Sequence, residues 1–177
     1  MMAERILPFL RNEKSDGAIP SAFWATYTFE EAVRRGHGAL VVDFIRNKWT
    51  PMLATGTTWE DYTWTDGKGG ATVSHAWTAH PAYHFVNILA GISQADVAWK
   101  AVRFEPVFAR GVEHAAATVP APPGAISARW CREGGSVMTE LVLPAGVRAE
   151  MKVGGNSRTV SGPGTFGLDA DGCDLIL

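Results

Sequence analysis

Apolar positions in the first ninety residues recur at helical spacing. In "SAFWATYTFEEAVRRGH" the residues Phe23, Trp24, Tyr27 and Val33 share helical intervals, with Ser21 placed to cap the start and Gly36 to end it. "GALVVDFIRNKW" repeats the stripe at Leu40, Val41, Phe44 and Ile45 and halts before Pro51. "PAYHFVNILAG" predicts a third helix, with Pro81 in its first turn, where the missing N–H removes no helical bond. The second and third helices are joined by a long connector, "TGTTWEDYTWTDGKGGATVSHAW", rich in glycine and polar groups. Long connectors in compact domains are often functional.

After "GISQADVAWK" the period falls to two. "VRFEPVF", "VEHAAATVP", "GAISARWCREGGSVMTELVLP" and "VRAEMKVGG" alternate apolar with polar residues, and "TFGLDADGCDLIL" predicts a closing strand. Turn signals stand at Pro122-Pro123-Gly124, Gly134-Gly135 and Gly154-Gly155. The predicted class is α+β, an N-terminal α-helical segment over residues 1–92 followed by an antiparallel β-sandwich over 93–177. No internal repeat or low-complexity tract interrupts this order.

Composition narrows the partners. The 177 residues carry 16 basic and 18 acidic side chains, a net charge of −2, which argues against nucleic acid or an anionic membrane surface as the main partner. The N-terminal "MMAERILPFL" is too short and too interrupted for a secretory leader, so a cytoplasmic location is expected. Cys131 and Cys173 follow no metal spacing and are expected to be reduced. Seven tryptophans are many for this length, and their flat apolar faces serve either a core or a sugar site.

The candidate chemistry sits in the connector. Glu60 is either a catalytic carboxylate or a solvated loop residue, and His75 is either a ligand-binding or a structural histidine. Trp59 and Trp64 fit a core as well as they fit a sugar platform, and Asp61 and Asp66 read as turn or capping residues. His80 and His84 stand at i, i+4, a spacing that can hold a metal, but no Glu follows His80 and no third ligand is near. Neither a metal nor a cofactor is therefore expected. Arg34 and Arg35 read as last-turn cations that favour the helix dipole.

In its order of motifs the chain resembles the C-terminal part of bacterial α-L-rhamnosidases, glycoside hydrolase family 78. The resemblance is carried by "FWATYTFEEAVRRGHGALVVDFIRNKWTPML", "GTTWED", "SHAW", "AYHFVNILAGI", "VRFEPVF", "PAPPGAISARW" and "VMTELVLPAGVRAEM". It implies that residues 1–92 are the last helices of an (α/α)6 barrel, a partial α/α barrel, and that the rest is the C-terminal sandwich. The family inverts, using one carboxylic acid to protonate the leaving oxygen and a second carboxylate to activate water. By resemblance Glu60 of "TTWED" falls on the general base and His75 of "SHAW" on a histidine that binds sugar hydroxyls, with Trp59, Trp64 and Trp77 beside them. Many members carry Asn where this chain has Ser74. The resemblance places the general acid in an upstream segment outside this sequence. Acid assistance contributes roughly 10²–10⁴-fold, so weak hydrolysis at most is expected from Glu60 alone.

The implied partner is a rhamnose-containing glycoside or another carbohydrate. Two alternatives stand beside the glycosidase: a non-catalytic carbohydrate-binding or structural remnant, and a hydrolase of another class using the exposed groove, with or without a metal. Three helices with stripes this broad cannot cover one another on all sides. A homodimer through the helical segment is expected, burying Phe23, Trp24, Tyr27, Leu40, Phe44, Ile45 and Trp49.

Overall fold

The computed structural model describes residues 2–13, 20–62 and 73–171. The chain divides into two compact units, Met1–His84 and Phe85–Leu177.

The first unit is helical. A π-helical turn over Met2–Ile6 runs into α1 (Leu7–Leu10), followed by α2 (Ala22–Arg34) and α3 (Gly38–Trp49). Extended Ser21 caps α2, its hydroxyl accepting from the Trp24 N–H at 3.5 Å. At the other end Gly36 takes φ +82. Its N–H donates to the Val33 carbonyl and that of His37 to the Ala32 carbonyl, both at 2.9 Å, the two bonds of a Schellman stop. A 3-10 helix continues from α3 over Thr50–Thr55, a second covers Ala76–Ala79, and α4 (Pro81–Ile88) begins at the predicted proline, its residues from Phe85 onward belonging to the second unit.

The core of this unit is aromatic. Ala22, Ala25, Phe29 and Ala32 form the buried stripe of α2. Phe29 packs against Phe44, Trp49, His80 and His84 with ring centroids 5.6, 6.3, 5.5 and 5.2 Å away. The expectation that Phe44, Ile45 and Trp49 need a second copy to cover them is corrected here: all three are buried. Phe9 of α1 lies 4.7 Å from Phe44, and Tyr62 lies 5.7 Å from Phe44 and 5.3 Å from Trp49. The Tyr62 hydroxyl donates to the Pro20 carbonyl. The cover therefore comes from the N-terminal turn and the connector. Phe23, Trp24 and Tyr27, on the opposite side of α2, remain exposed.

Among the described residues the second unit has nine strands: β1 (Ile92–Gln94), β2 (Ala101–Phe104), β3 (His114–Val119), β4 (Ile126–Glu133), β5 (Ser136–Leu143), β6 (Arg148–Val153), β7 (Asn156–Ser161), β8 (Gly164–Phe166) and β9 (Ala170–Asp171). One sheet has the order β1-β2-β6-β7, and the other the order β3-β4-β5-β8 with β9 on β5. Side chains of both sheets meet in one core, Val102, Phe104 and Met151 from the first against Ile126, Trp130 and Leu141 from the second. Alternation along β4 buries Ile126, Ala128 and Trp130, while Arg129 faces out to pair with Glu140 at 2.9 Å. The hairpin glycines take positive φ, Gly134 and Gly135 at +58 and +93, Gly154 and Gly155 at +54 and +84.

One pairing departs from an all-antiparallel sandwich. β2 and β6 run parallel, Ala101 beside Arg148 and Phe104 beside Met151. A parallel pair cannot be closed by a hairpin, and here the chain passes through β3, β4 and β5 of the other sheet before returning. Gly91 leads into β1 at φ +74, and a Cβ there would sit 2.4 Å from the Pro106 nitrogen, so only glycine fits.

Candidate functional site

Two short pieces of the connector meet in the helical unit. The 3-10 helix over Thr50–Thr55 ends at Gly56, whose φ of +68 turns the chain into an extended stretch. Thr55 and Met52 anchor Trp59 within that stretch. The Trp59 indole N–H donates to Thr55 Oγ1 at 2.7 Å, and the Trp59 backbone N–H donates to Met52 Sδ at 3.4 Å. Trp59 is only 1% exposed, so its ring faces pack on protein and offer no platform to a sugar. In extended chain neighbouring side chains alternate in direction. Burying Trp59 leaves the next residue, Glu60, half-buried at the surface.

The segment bearing His75 lies alongside. Trp59 and Val73 form an antiparallel bridge. The Thr58 carbonyl accepts from the Ser74 N–H at 2.7 Å and from the His75 N–H at 2.9 Å. The Thr58 hydroxyl donates back to the His75 carbonyl at 2.8 Å, and that carbonyl also accepts the Thr78 hydroxyl at 2.8 Å. Ser74 takes φ +71 to make the turn. Glu60 thus follows one side of this short pairing, and His75 belongs to the other.

The His75 ring is half-buried and packs 4.2 Å from Trp77, which is 45% exposed and lies 5.5 Å from Phe23. His75 Nδ1 is buried, with no hydrogen-bond partner among the described residues. The His75–Trp77 pair sets an imidazole beside an exposed indole, groups suited to a polar ligand with an apolar face. Trp64 and Asp66 lie outside the described residues, and Asp61 is half-buried beside Glu60.

His80 and His84 are occupied elsewhere. His80 Nε2 lies 2.9 Å from the Ala22 carbonyl and His84 Nε2 lies 3.0 Å from Thr26 Oγ1. Burial lowers the pKa of both; for His84, burial and the neighbouring His80 take it to about 4. With one nitrogen of each ring engaged and no third candidate ligand grouped with them among the described residues, the pair reads as a structural contact. Arg34 and Arg35 both pair with Glu31, at 2.8 and 2.5 Å. Cys131 carries a free thiol, and Cys173 lies outside the described residues. No helix among the described residues is long and apolar enough to cross a membrane.

Thr58 was absent from the candidates drawn from the sequence. Its role depends on meeting His75 through the fold, and no spacing rule encodes that contact.

Residues 91–165 match the family model of the bacterial alpha-L-rhamnosidase C-terminal domain. Among solved structures, the alpha-L-rhamnosidase from Streptomyces avermitilis, complexed with L-rhamnose, is similar over 84% of this chain and 18% of its own, with TM-score 0.69 and 17% identity. The enzyme from Aspergillus terreus is similar over 86% of this chain and 19% of its own, with TM-score 0.68 and 19% identity. The GH78 family rhamnosidase of Bacillus sp. GL1 gives 74% and 16%, TM-score 0.58 and 24% identity. No curated protein matches. The chain therefore spans less than a fifth of these relatives' length, and the likeness is one of fold: a helical part followed by the C-terminal sandwich of a rhamnosidase.

Proposed function

We propose that this chain carries the general-base and sugar-binding side of an inverting α-L-rhamnosidase-type site, with Glu60 as base and His75 as a ligand to the sugar hydroxyls. What supports the reading is the ladder that holds Thr58–Trp59 against Val73–His75, the two segments that carry Glu60 and His75, each of them half-buried. In the step assigned to it, Glu60 takes a proton from water while the water oxygen attacks the anomeric carbon. The bond from that carbon to the leaving oxygen breaks, and its electron pair leaves with the aglycone. An aryl rhamnoside departs as a phenolate and depends little on proton donation, so it isolates the base.

With p-nitrophenyl α-L-rhamnoside, turnover by the chain is expected to fall by about 10²-fold or more in Glu60→Gln. Turnover unchanged by that substitution would remove the base assignment. A second reading, sugar binding without catalysis, is favoured by Trp77, which stays 45% exposed against His75. Calorimetric titration with L-rhamnose separates the two: heat lost in His75→Ala, with no turnover of the aryl glycoside, supports binding alone.

A further inference from the structure

Among the described residues the ladder has one side-chain rung. Backbone pairing alone links the Thr58 carbonyl to the N–H groups of Ser74 and His75, at 2.7 and 2.9 Å. The Thr58 hydroxyl adds a bond to the His75 carbonyl at 2.8 Å, so one residue grips His75 at both its N–H and its C=O. The ring is then confined by Trp77 at 4.2 Å, and its Nδ1 is closed off from solvent.

We propose that Thr58 is a positioning residue for the site, locking the backbone of His75 to the segment that carries Glu60 so that the imidazole is held in one orientation. Thr58 touches no substrate and acts through His75. Threonine suits the task because its β-branched side chain has few χ1 choices, which fixes the hydroxyl without further partners. Valine keeps that shape and loses the donor. Serine keeps the donor and loses the methyl group. The inference rests on reading Glu60 and His75 as base and sugar ligand, but the lock itself is a property of the fold and is measurable without sugar.

The experiment uses the whole chain. Amide hydrogen exchange in the unmodified protein is expected to show Ser74 and His75 protected, and exchange of both at free-peptide rates would overturn the proposal. In Thr58→Val the imidazole nitrogen signals of His75 are expected to shift in NMR spectra while the melting transition stays cooperative. L-rhamnose affinity should weaken about fivefold, because binding must then also order His75. Thr58→Ser should restore both readouts. His75 signals unchanged in a folded Thr58→Val, or a folded Thr58→Ser that restores neither, would overturn it. If the unmodified chain shows no heat with L-rhamnose, the sugar reading fails alone, and exchange and the imidazole signals still decide the role of Thr58. Should Thr58→Val not fold, Thr58→Ser decides: His75 imidazole signals that match those of the unmodified chain support the proposal, and signals shifted away from them overturn it.

Discussion

His84 Nε2 and Thr26 Oγ1 lie 3.0 Å apart, tying the start of α4 to the middle of α2. The imidazole is 1% exposed and surrounded by rings: Phe29 at 5.2 Å, His80 at 5.4 Å and Tyr83 at 5.1 Å. His84 therefore folds as a neutral group. In the unfolded chain it takes up a proton near its ordinary value of 6.5, whereas burial and His80 hold the folded group to about 4. Its contribution is complete above pH 6.5 and is lost as pH falls towards 4, reaching at most about 3 kcal/mol. His80, lowered by the same burial, loses its share in the same direction. Urea titrations at pH 7 and pH 4.5 should show the helical unit markedly weaker at the lower pH. In His84→Gln the difference should shrink.

Ser74 predicts a gain. It holds φ +71, a left-handed conformation that costs an ordinary residue about 1–2 kcal/mol and that Gly and Asn adopt more readily. Ser74→Asn should stabilise the chain by up to about 1 kcal/mol, seen as a rise of a few degrees in melting temperature. A fall would show that the Ser74 hydroxyl has a partner of its own.

Trp130 is the heaviest anchor of the sandwich core. It is 2% exposed, meets Phe108 edge-on at 4.9 Å and donates its indole N–H to the Leu89 carbonyl at 2.6 Å. Trp130→Ala should cost about 3–5 kcal/mol through the cavity it leaves. Trp130→Phe retains most of the packing but strands the Leu89 carbonyl, at about 1–3 kcal/mol. Chemical denaturation followed in the second unit separates the two losses.

The exposed face of α2 carries Phe23, Trp24 and Tyr27 at 38%, 60% and 52% exposure, with Trp77 against Phe23. Aromatic surface of this kind rarely stays bare on a soluble chain. Self-association through it is the expected outcome, read by light scattering across a dilution series. Trp24→Asp should shift the series towards monomer with little loss of folding stability, because Trp24 contributes to no buried core. A monodisperse monomer at high micromolar concentration would refute the expectation.

Local rules carried most of the architecture. Ser21 and Gly36 bound α2 because cap and stop act within a few residues of the helix ends, whereas the buried stripe is Ala22, Ala25, Phe29 and Ala32 rather than the aromatic spacing of Phe23, Trp24 and Tyr27. The strands from His114 to Val153 and their glycine turns arise for the same reason. Distant effects were not readable. The turn over Met2–Ile6 and the four residues of α1 are too short to show a period, yet Phe9 from them covers Phe44. The parallel pairing of β2 with β6 joins segments far apart in the chain, and no hairpin signal announces it. At the candidate site Glu60 and His75 could be picked out by residue type and resemblance. The burial of Trp59 and the grip of Thr58 arise only when the two ends of the connector meet.

The crossing from β2 to β6 has a kinetic consequence. Hairpins β3–β4, β4–β5 and β6–β7 close over short loops, so their nuclei form early. The sheet β1-β2-β6-β7 cannot assemble until Ala101 finds Arg148, after the loop entropy of everything between has been overcome. That sheet is the slow element of the second unit. A mutation that weakens the register of β2 on β6 should slow refolding more than one that weakens the turn at Gly134-Gly135.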